Sequence, residues 1–217
     1  MIHKTLAVAL LMAAALTASA QKFSLTDTDD YSRLDLLPNL ADPIYYDHGL
    51  HATSHMAPGI GIGYLFGINV TGHSLPLFLE VGPEVNYNVR FEEVDTWDDA
   101  SGKPTEEDFT TRMLNVGVPL NVVYKVRFTD AISLAPFAGL NAKFNLLAST
   151  YRDGKEIADS FDDGANRFQM GWNAGVGIYF NRFYVGQRFS SDITPFLKER
   201  YYKLKYKNYY LSFGVKF

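Results

Sequence analysis

Three of the five histidines fall within eight residues, in the stretch Asp47-His48-Gly49-Leu50-His51-Ala52-Thr53-Ser54-His55. Imidazole is the commonest protein metal ligand, but histidines alone at this spacing lack the signature of a defined zinc site. On a strand, His51 and His55 share one face and His48 takes the other, so the three converge only in a turn. Ser54 beside His55 supplies two members of a nucleophile–base–acid set, and no motif around them completes it. Polar filler near a loop is the reading the residues support. The chain has no cysteine, which excludes thiol nucleophiles, zinc ribbons, disulfide scaffolds and a lipid-modified N-terminus.

Charges offer more. Residues 92–108 carry Glu92, Glu93, Asp95, Asp98, Asp99, Glu106, Glu107 and Asp108 against Lys103 alone. Residues 197–207 carry Lys198, Arg200, Lys203, Lys205 and Lys207 against Glu199. The plain reading is solvated surface with one loop screening the other; the functional ones are divalent-cation bridging and contact with lipopolysaccharide phosphate. Asp27-Thr28-Asp29-Asp30 has calcium-loop texture without the Gly and terminal Glu that an EF-hand requires. The net charge of −4 gives no reason to expect nucleic acid.

The elements that position these groups are read from hydrophobic period. His3 and Lys4, the apolar run Leu6 to Leu16 and Ala18-Ser19-Ala20 form a cleavable export signal over 1–20, with Gln21 as the new N-terminus. That run is too short to span a bilayer. Removing it leaves 19 basic and 24 acidic residues, a net charge of −5. Beyond it, strict alternation dominates. Leu75 to Phe91 is apolar at every odd position, and Leu114 to Phe128 and Ile132 to Ala148 at every even one. Ile60 to Val70, Phe168 to Phe180 and Tyr209 to Phe217 alternate likewise. A period of two over such lengths is β-strand.

The second face decides the class. A soluble lipocalin-like barrel, the rival reading, coats its outside with Lys, Glu and Thr. Here that face is mostly Gly, Asn and Ser, which suits a narrow polar interior, while the unbroken Leu, Val, Ile and Phe face suits lipid. Tyr87, Phe91, Tyr124, Phe128, Tyr179, Phe180, Phe183 and the cluster Tyr201, Tyr202, Tyr206, Tyr209, Tyr210 sit at strand ends, where interfacial girdles belong. Short turns at Thr71–Ser74, Thr129-Asp130 and Asn181-Arg182 oppose long loops near 94–108, 152–165 and 194–205, the pattern of short periplasmic turns and long outer loops.

Seven strands are clear: roughly 58–70, 75–93, 109–128, 132–151, 166–180, 183–193 and 206–217. Both chain ends belong on the periplasmic side, so the number must be even. Residues 44–53 and 22–37 compete for the missing first strand, and 44–53 alternates better. The expectation is therefore an all-β, eight-stranded antiparallel transmembrane barrel in the outer membrane over 44–217. Residues 21–43 would precede it as a periplasmic lead segment.

On the polar face lie Glu80, Glu84, Arg90, Lys143 and Arg188. An unpaired charge in a narrow lumen is costly, so they should pair, filling an interior that eight strands leave just wide enough for side chains. Counting from the expected turns, Gly175 falls opposite Arg188 and Gly61 opposite Glu84.

Gly59-Ile60-Gly61-Ile62-Gly63-Tyr64, Glu80-Val81-Gly82-Pro83-Glu84, Asn115-Val116-Gly117-Val118-Pro119-Leu120, Pro136-Phe137-Ala138-Gly139-Leu140 and Gly175-Val176-Gly177-Ile178 carry a resemblance. Over about 56–217 the chain resembles the PorT-like outer membrane β-barrel proteins of Bacteroidota. The resemblance implies a part in envelope assembly or secretion, and a final strand ending at Phe217 that looks like the signal read by the barrel-assembly machinery. The expected role is that of a monomeric structural or interaction protein among outer membrane lipids, without cofactor or enzymatic activity. The alternative is a barrel-rim enzyme acting on lipid A, where Ser54, His55 and a carboxylate would converge.

Overall fold

The computed structural model describes residues 28–47, 50–53, 55–72, 74–98, 103–152, 154–162, 164–198 and 202–217. The export signal expected at 1–20 lies outside them. All regular structure among the described residues is strand, and its fourteen segments make one sheet. Merging segments that continue one another yields eight wall strands. They are β1 (Tyr31–Leu36 and Asn39–Asp47), β2 (Leu50–Thr53 and Ala57–Asn69), β3 (Leu77–Val81 and Glu84–Asp98) and β4 (Lys103–Tyr124 and Val126–Arg127). Then follow β5 (Ile132–Arg152), β6 (Phe168–Phe180), β7 (Phe183–Asp192) and β8 (Tyr202–Lys216). Each pairs antiparallel with its neighbour in the chain. The ring closes where β8 meets β1, with Lys216 opposite Arg33, Tyr210 opposite Asn39 and Tyr202 opposite Asp47. Closure removes every sheet edge, which allows strands to lie in lipid with all backbone groups bonded.

The first strand differs from expectation. Residues 31–47 form β1, so the supposed lead segment 21–43 contributes its second half to the wall, and 44–53 straddles the β1–β2 hairpin with Ile44 opposite Thr53. Ser32, Leu34 and Leu36 face outward while Tyr31, Arg33 and Asp35 are buried inside. An inward face mixing an aromatic with charges disguised the alternation. Pro38 and Pro43, which read as a linker, lie within the wall. Pro38 falls at the break between the two segments, where it accepts the Leu211 N–H at 3.0 Å and Leu37 exchanges bonds of 2.8 and 2.9 Å with Gly61. A proline is tolerated where the ladder does not need its missing donor.

Turn chemistry moves one register. The first short turn is longer than Thr71–Ser74: Val70 N–H reaches the Leu77 carbonyl at 3.1 Å. The Leu75 N–H bonds Thr71 Oγ1 at 2.9 Å and Asn69 Nδ2 bonds the Leu75 carbonyl at 2.8 Å, so side chains hold the wider loop. Two extra residues shift the pairing, and Gly63 rather than Gly61 lies opposite Glu84. At the tight Asn181-Arg182 turn, Asn181 has φ 54° and donates its N–H to the Ala131 carbonyl at 2.7 Å. Asn181→Gly should leave stability unchanged, whereas Asn181→Val should lose about 1–2 kcal/mol, the cost of a left-handed β-branched residue. Urea midpoints in micelles compare the two.

At the other end the sheet runs on well beyond the roughly 9–11 residues that a tilted strand needs to cross a bilayer. β3 and β4 stay paired out to Asp98 opposite Lys103, so the acidic segment 92–108 is mostly a hairpin rather than the loop expected. Short strands Lys155–Asp159 and Leu197–Lys198 pair onto β5 and β8. A bulge in β5, between the pairs Leu114–Leu147 and Asn115–Asn145, reverses its facing. Ala148 thereby turns inward, against the even-outward pattern.

Leu, Val, Ile and Phe side chains cover the outside, and Tyr87, Phe91, Tyr124, Phe128, Phe180, Phe183 and Tyr209 stand on it. Tyr179, Tyr206 and Tyr210, expected in the girdles, are buried in the lumen. Their parity puts them inside, where the Tyr179 and Tyr210 rings meet cations and the Tyr206 ring packs edge-on against Phe196.

Candidate functional site in the barrel interior

Inward positions of all eight strands meet along the lumen in successive layers. Nearest the short turns, Tyr31, Phe78, Val123, Ala135, Tyr179 and Tyr184 form an apolar cluster. Two cations sit within it. Lys125, from the odd face of β4, places Nζ 4.4 Å from the Tyr31 ring centroid and 4.7 Å from that of Tyr179. The Arg33 guanidinium stacks 3.6 Å from the Tyr184 centroid. A desolvated cation over a ring gains about 2 kcal/mol, which offsets part of its burial cost. Arg33 also bonds Asp35 at 2.8 Å, Glu80 at 3.0 Å and the Tyr179 hydroxyl. The Tyr31 hydroxyl donates to Glu80 at 2.9 Å.

The next layer is a fork. Arg188 Nη1 and Nη2 donate to the two oxygens of Glu84 at 2.6 and 2.8 Å, and the guanidinium lies 4.1 Å from the Tyr210 centroid. Gly175 lies opposite Arg188, and a Cβ there would strike the Gln187 carbonyl and the Phe137 ring and sit 3.0 Å from the Arg188 Cα, so glycine lets β6 and β7 and that ring approach closely. Bidentate geometry suits a guanidinium buried against a carboxylate.

Above it lies an amide layer. Lys143 Nζ bonds Asp192 at 2.6 Å, Gln169 Nε2 donates to Asp192 at 2.8 Å, and Asn145 Nδ2 donates to Gln169 at 2.8 Å. Asn88 Nδ2 donates to Asn39 at 2.6 Å across the same level. Uppermost is Arg90, with Nη2 3.2 Å from Glu92 and Nη1 3.4 Å from the Tyr45 hydroxyl. It borders a cavity of about 170 Å³ that opens toward the extended hairpins.

The structure thus joins only two of the five charged residues singled out in the sequence to one another, Glu84 and Arg188. Glu80 takes Arg33, Lys143 takes Asp192, and Arg90 takes Glu92. Sequence reasoning missed Arg33 and Asp35 because their strand was placed outside the wall. Asp192 is a further lumen charge that the sequence reading did not single out; its parity with Arg188 and Ser190 was the available signal.

The other candidates fall largely outside the described residues. His48 and Ser54 lie outside the described residues, as does the His51 side chain; His55 is exposed in the coil before Ala57. Among the described residues no three His, Cys, Asp or Glu side chains are placed to hold a metal. Asp27 lies outside the described residues, and Asp30 accepts the Asn69 N–H at 2.6 Å as a structural clasp. In the basic segment, Lys205 donates to the Ile193 carbonyl at 2.6 Å.

Residues 53–198 match the outer membrane protein beta-barrel domain family, about two thirds of the chain. No curated protein matches the sequence. Among solved structures, the outer membrane enzyme PagL is 12% identical, with 82% of this chain and 98% of that one covered and a TM-score of 0.49. Ail, the attachment invasion locus protein of Yersinia pestis, solved with the heparin analogue sucrose octasulfate, is 14% identical with 86% and 99% covered and a TM-score of 0.43. Neisserial surface protein A is 15% identical, with 84% and 95% covered and a TM-score of 0.39. With eight antiparallel strands closed into a ring, an apolar exterior and this family match, the chain belongs to the outer membrane protein β-barrel domain family and resides in the outer membrane.

Proposed function

We propose that this protein is a structural or interaction component of the cell envelope, with a lumen that does not conduct and outer hairpins that make its contacts. One observation carries the reading: ion pairs and rings occupy the barrel cross-section at successive levels, from Lys125 and Arg33 through Glu84–Arg188 to Lys143–Asp192. Charges in such pairs are held by partners on other strands, and opening a path would strand them unpaired. The extended β3–β4 hairpin, acidic at Glu92 and Asp108, gives the outer side a long contacting edge.

Within this reading the chain is exported by a signal cleaved after Ala20 and handed to the barrel-assembly machinery through the strand ending at Phe217. It works as a monomer without catalysis. The resemblance to PorT-like proteins supports a place in envelope assembly or secretion. In planar bilayers the purified protein should show no steady conductance above leak. Stable single-channel steps would overturn the proposal.

A further inference from the structure

We propose that the outer rim of β7 and β8 binds a phosphorylated lipid of the outer leaflet. Lys205 and Lys207 hold its phosphate, and a groove on the barrel wall below them seats an acyl chain. Lys203, Lys205 and Lys207 share the outward face of β8 with Tyr209, Leu211 and Phe213, because Leu204, Tyr206, Asn208 and Tyr210 between them are buried inside. Height follows from counting along the strand. At about 3.3 Å per residue and a tilt near 40°, β8 climbs roughly 20 Å from Phe217 to Tyr209 and about 25 Å to Lys207, the height of an outer-membrane apolar band. The rings agree with that level. Trp172 of β6, Phe189 of β7 and Tyr209 of β8 touch in sequence, with centroids 5.3 Å apart at each step, as an interfacial aromatic belt does. Lys207 is the next outward position beyond Tyr209, opposite Ser191, which is itself opposite Trp172. Lipid headgroups occupy this level.

The ammonium groups are available. Lys205 Nζ donates one bond to the Ile193 carbonyl at 2.6 Å, which holds it toward β7 and leaves two N–H groups. Lys207 makes no ion pair among the described residues, and Asp42 is opposite it in register. One carboxylate therefore faces three lysines, and net positive charge remains. Lysines two apart on a strand face stand about 7 Å apart, a span that one phosphate bridges. Just below, a groove of about 370 Å³ crosses the lipid face where β1 breaks at Pro38. Leu40, Pro58, Tyr209 and Leu211 wall it, all exposed on the outside. Its polar side chains besides the tyrosines are Asn39, turned inward to Leu37 and Asn88, and Gln187, exposed opposite Leu211. In hydrocarbon the Gln187 amide gains from any polar group that an acyl chain carries. Tyr209 belongs to both groove and belt, so headgroup and chain sites are continuous. Lysines alone attract any anion and a groove alone takes any hydrocarbon; together they specify an amphiphile with an anionic head. The site rests on the outer membrane location and is independent of whether the lumen conducts.

The test uses the full chain folded in phosphatidylcholine vesicles at 0.15 M salt, where attraction is screened beyond about 8 Å. Trp97→Phe leaves Trp172 as the single tryptophan. Phosphatidic acid and phosphatidylcholine with brominated acyl chains are compared as quenchers of its fluorescence, and heat-modifiable migration on gels verifies folding of each variant. Brominated phosphatidic acid should associate at least about fivefold more tightly than brominated phosphatidylcholine. Lys205→Gln with Lys207→Gln should abolish that preference. Gln187→Phe, which fills the groove and keeps the lysines, should halve it or more. Arg112→Gln removes an outward cation stacked 4.6 Å from the Tyr151 ring on the far side of the barrel, and should leave the preference unchanged. Excess inorganic phosphate should not displace the brominated phosphatidic acid. Equal quenching by the two lipids overturns the proposal, as does a preference retained in the lysine pair or in Gln187→Phe. Displacement by inorganic phosphate would mark a site for a soluble anion, and an equal loss in Arg112→Gln would reduce the effect to net charge; either overturns it too. Should the lysine pair fail to fold, Lys207→Gln alone and Gln187→Phe decide.

Discussion

Glu84→Gln should destabilise the barrel by about 3–5 kcal/mol, the cost of leaving a buried charge without its partner. Arg188 donates two bonds to Glu84 within a lumen where both residues are almost wholly buried. A neutral amide offers one acceptor where the carboxylate offered two, and carries no charge to balance the guanidinium. The Tyr210 ring and the surrounding amides cannot make up that loss. Glu84→Gln combined with Arg188→Met should recover most of the stability, because removing both charges removes the desolvation cost too. Asp130→Asn, which removes the fully exposed partner of Arg127 at the turn end, is the control and should change stability by less than about 1 kcal/mol. Urea unfolding in vesicles, followed by Trp172 fluorescence, gives all values on one scale. If Glu84→Gln unfolds together with the control, the fork contributes nothing and the account of the lumen is wrong.

Leu36→Arg should be nearly as damaging, at about 2–4 kcal/mol for a guanidinium placed on the lipid face near mid-membrane. Leu36 is exposed on the outside of β1, opposite Phe213 of β8 and Ile62 of β2, both of them outward apolar residues. Were residues 21–43 a periplasmic lead segment, an arginine there would be solvated and harmless. The expected result is a lower fraction of heat-modifiable protein and an earlier urea midpoint. A substitution without effect would take Tyr31–Leu36 out of the wall.

These two residues also show how unevenly the sequence reveals this molecule. Glu84 is legible because it stands in a run where every flanking odd position is apolar, so its facing follows from counting. Leu36 is not, because its strand interleaves Ser32, Leu34 and Leu36 with Tyr31, Arg33 and Asp35 and then breaks at Pro38. The inward face there mixes an aromatic with two charges, the outward face includes a serine, and the run ends after six residues, too short for the alternation to stand out. Tyr179 and Tyr210 misled for a related reason. A tyrosine near a strand end suits a girdle as well as a lumen, and parity rather than residue type sends these two inside. The cavity beside Arg90 was invisible for another reason. It is built by Phe196 from one connection, Ala148 turned inward by a bulge, and Tyr45 from a first strand that was expected to begin only at residue 44.

By itself, the sequence determined that the chain is all β, that one face of each strand meets lipid, and that Glu80, Glu84, Arg90, Lys143 and Arg188 share the other face. Those properties are local, since a period of two assigns every side chain to a face without reference to any other strand. Only the tertiary structure decided which charges meet. Pairing depends on register, and register was reset by a turn two residues longer than it looked and by one bulge in β5. It also decided where the barrel closes, because β1 and β8 meet across nearly the full length of the chain. No local pattern records a contact that distant; it exists because an open sheet edge cannot be left unbonded in lipid.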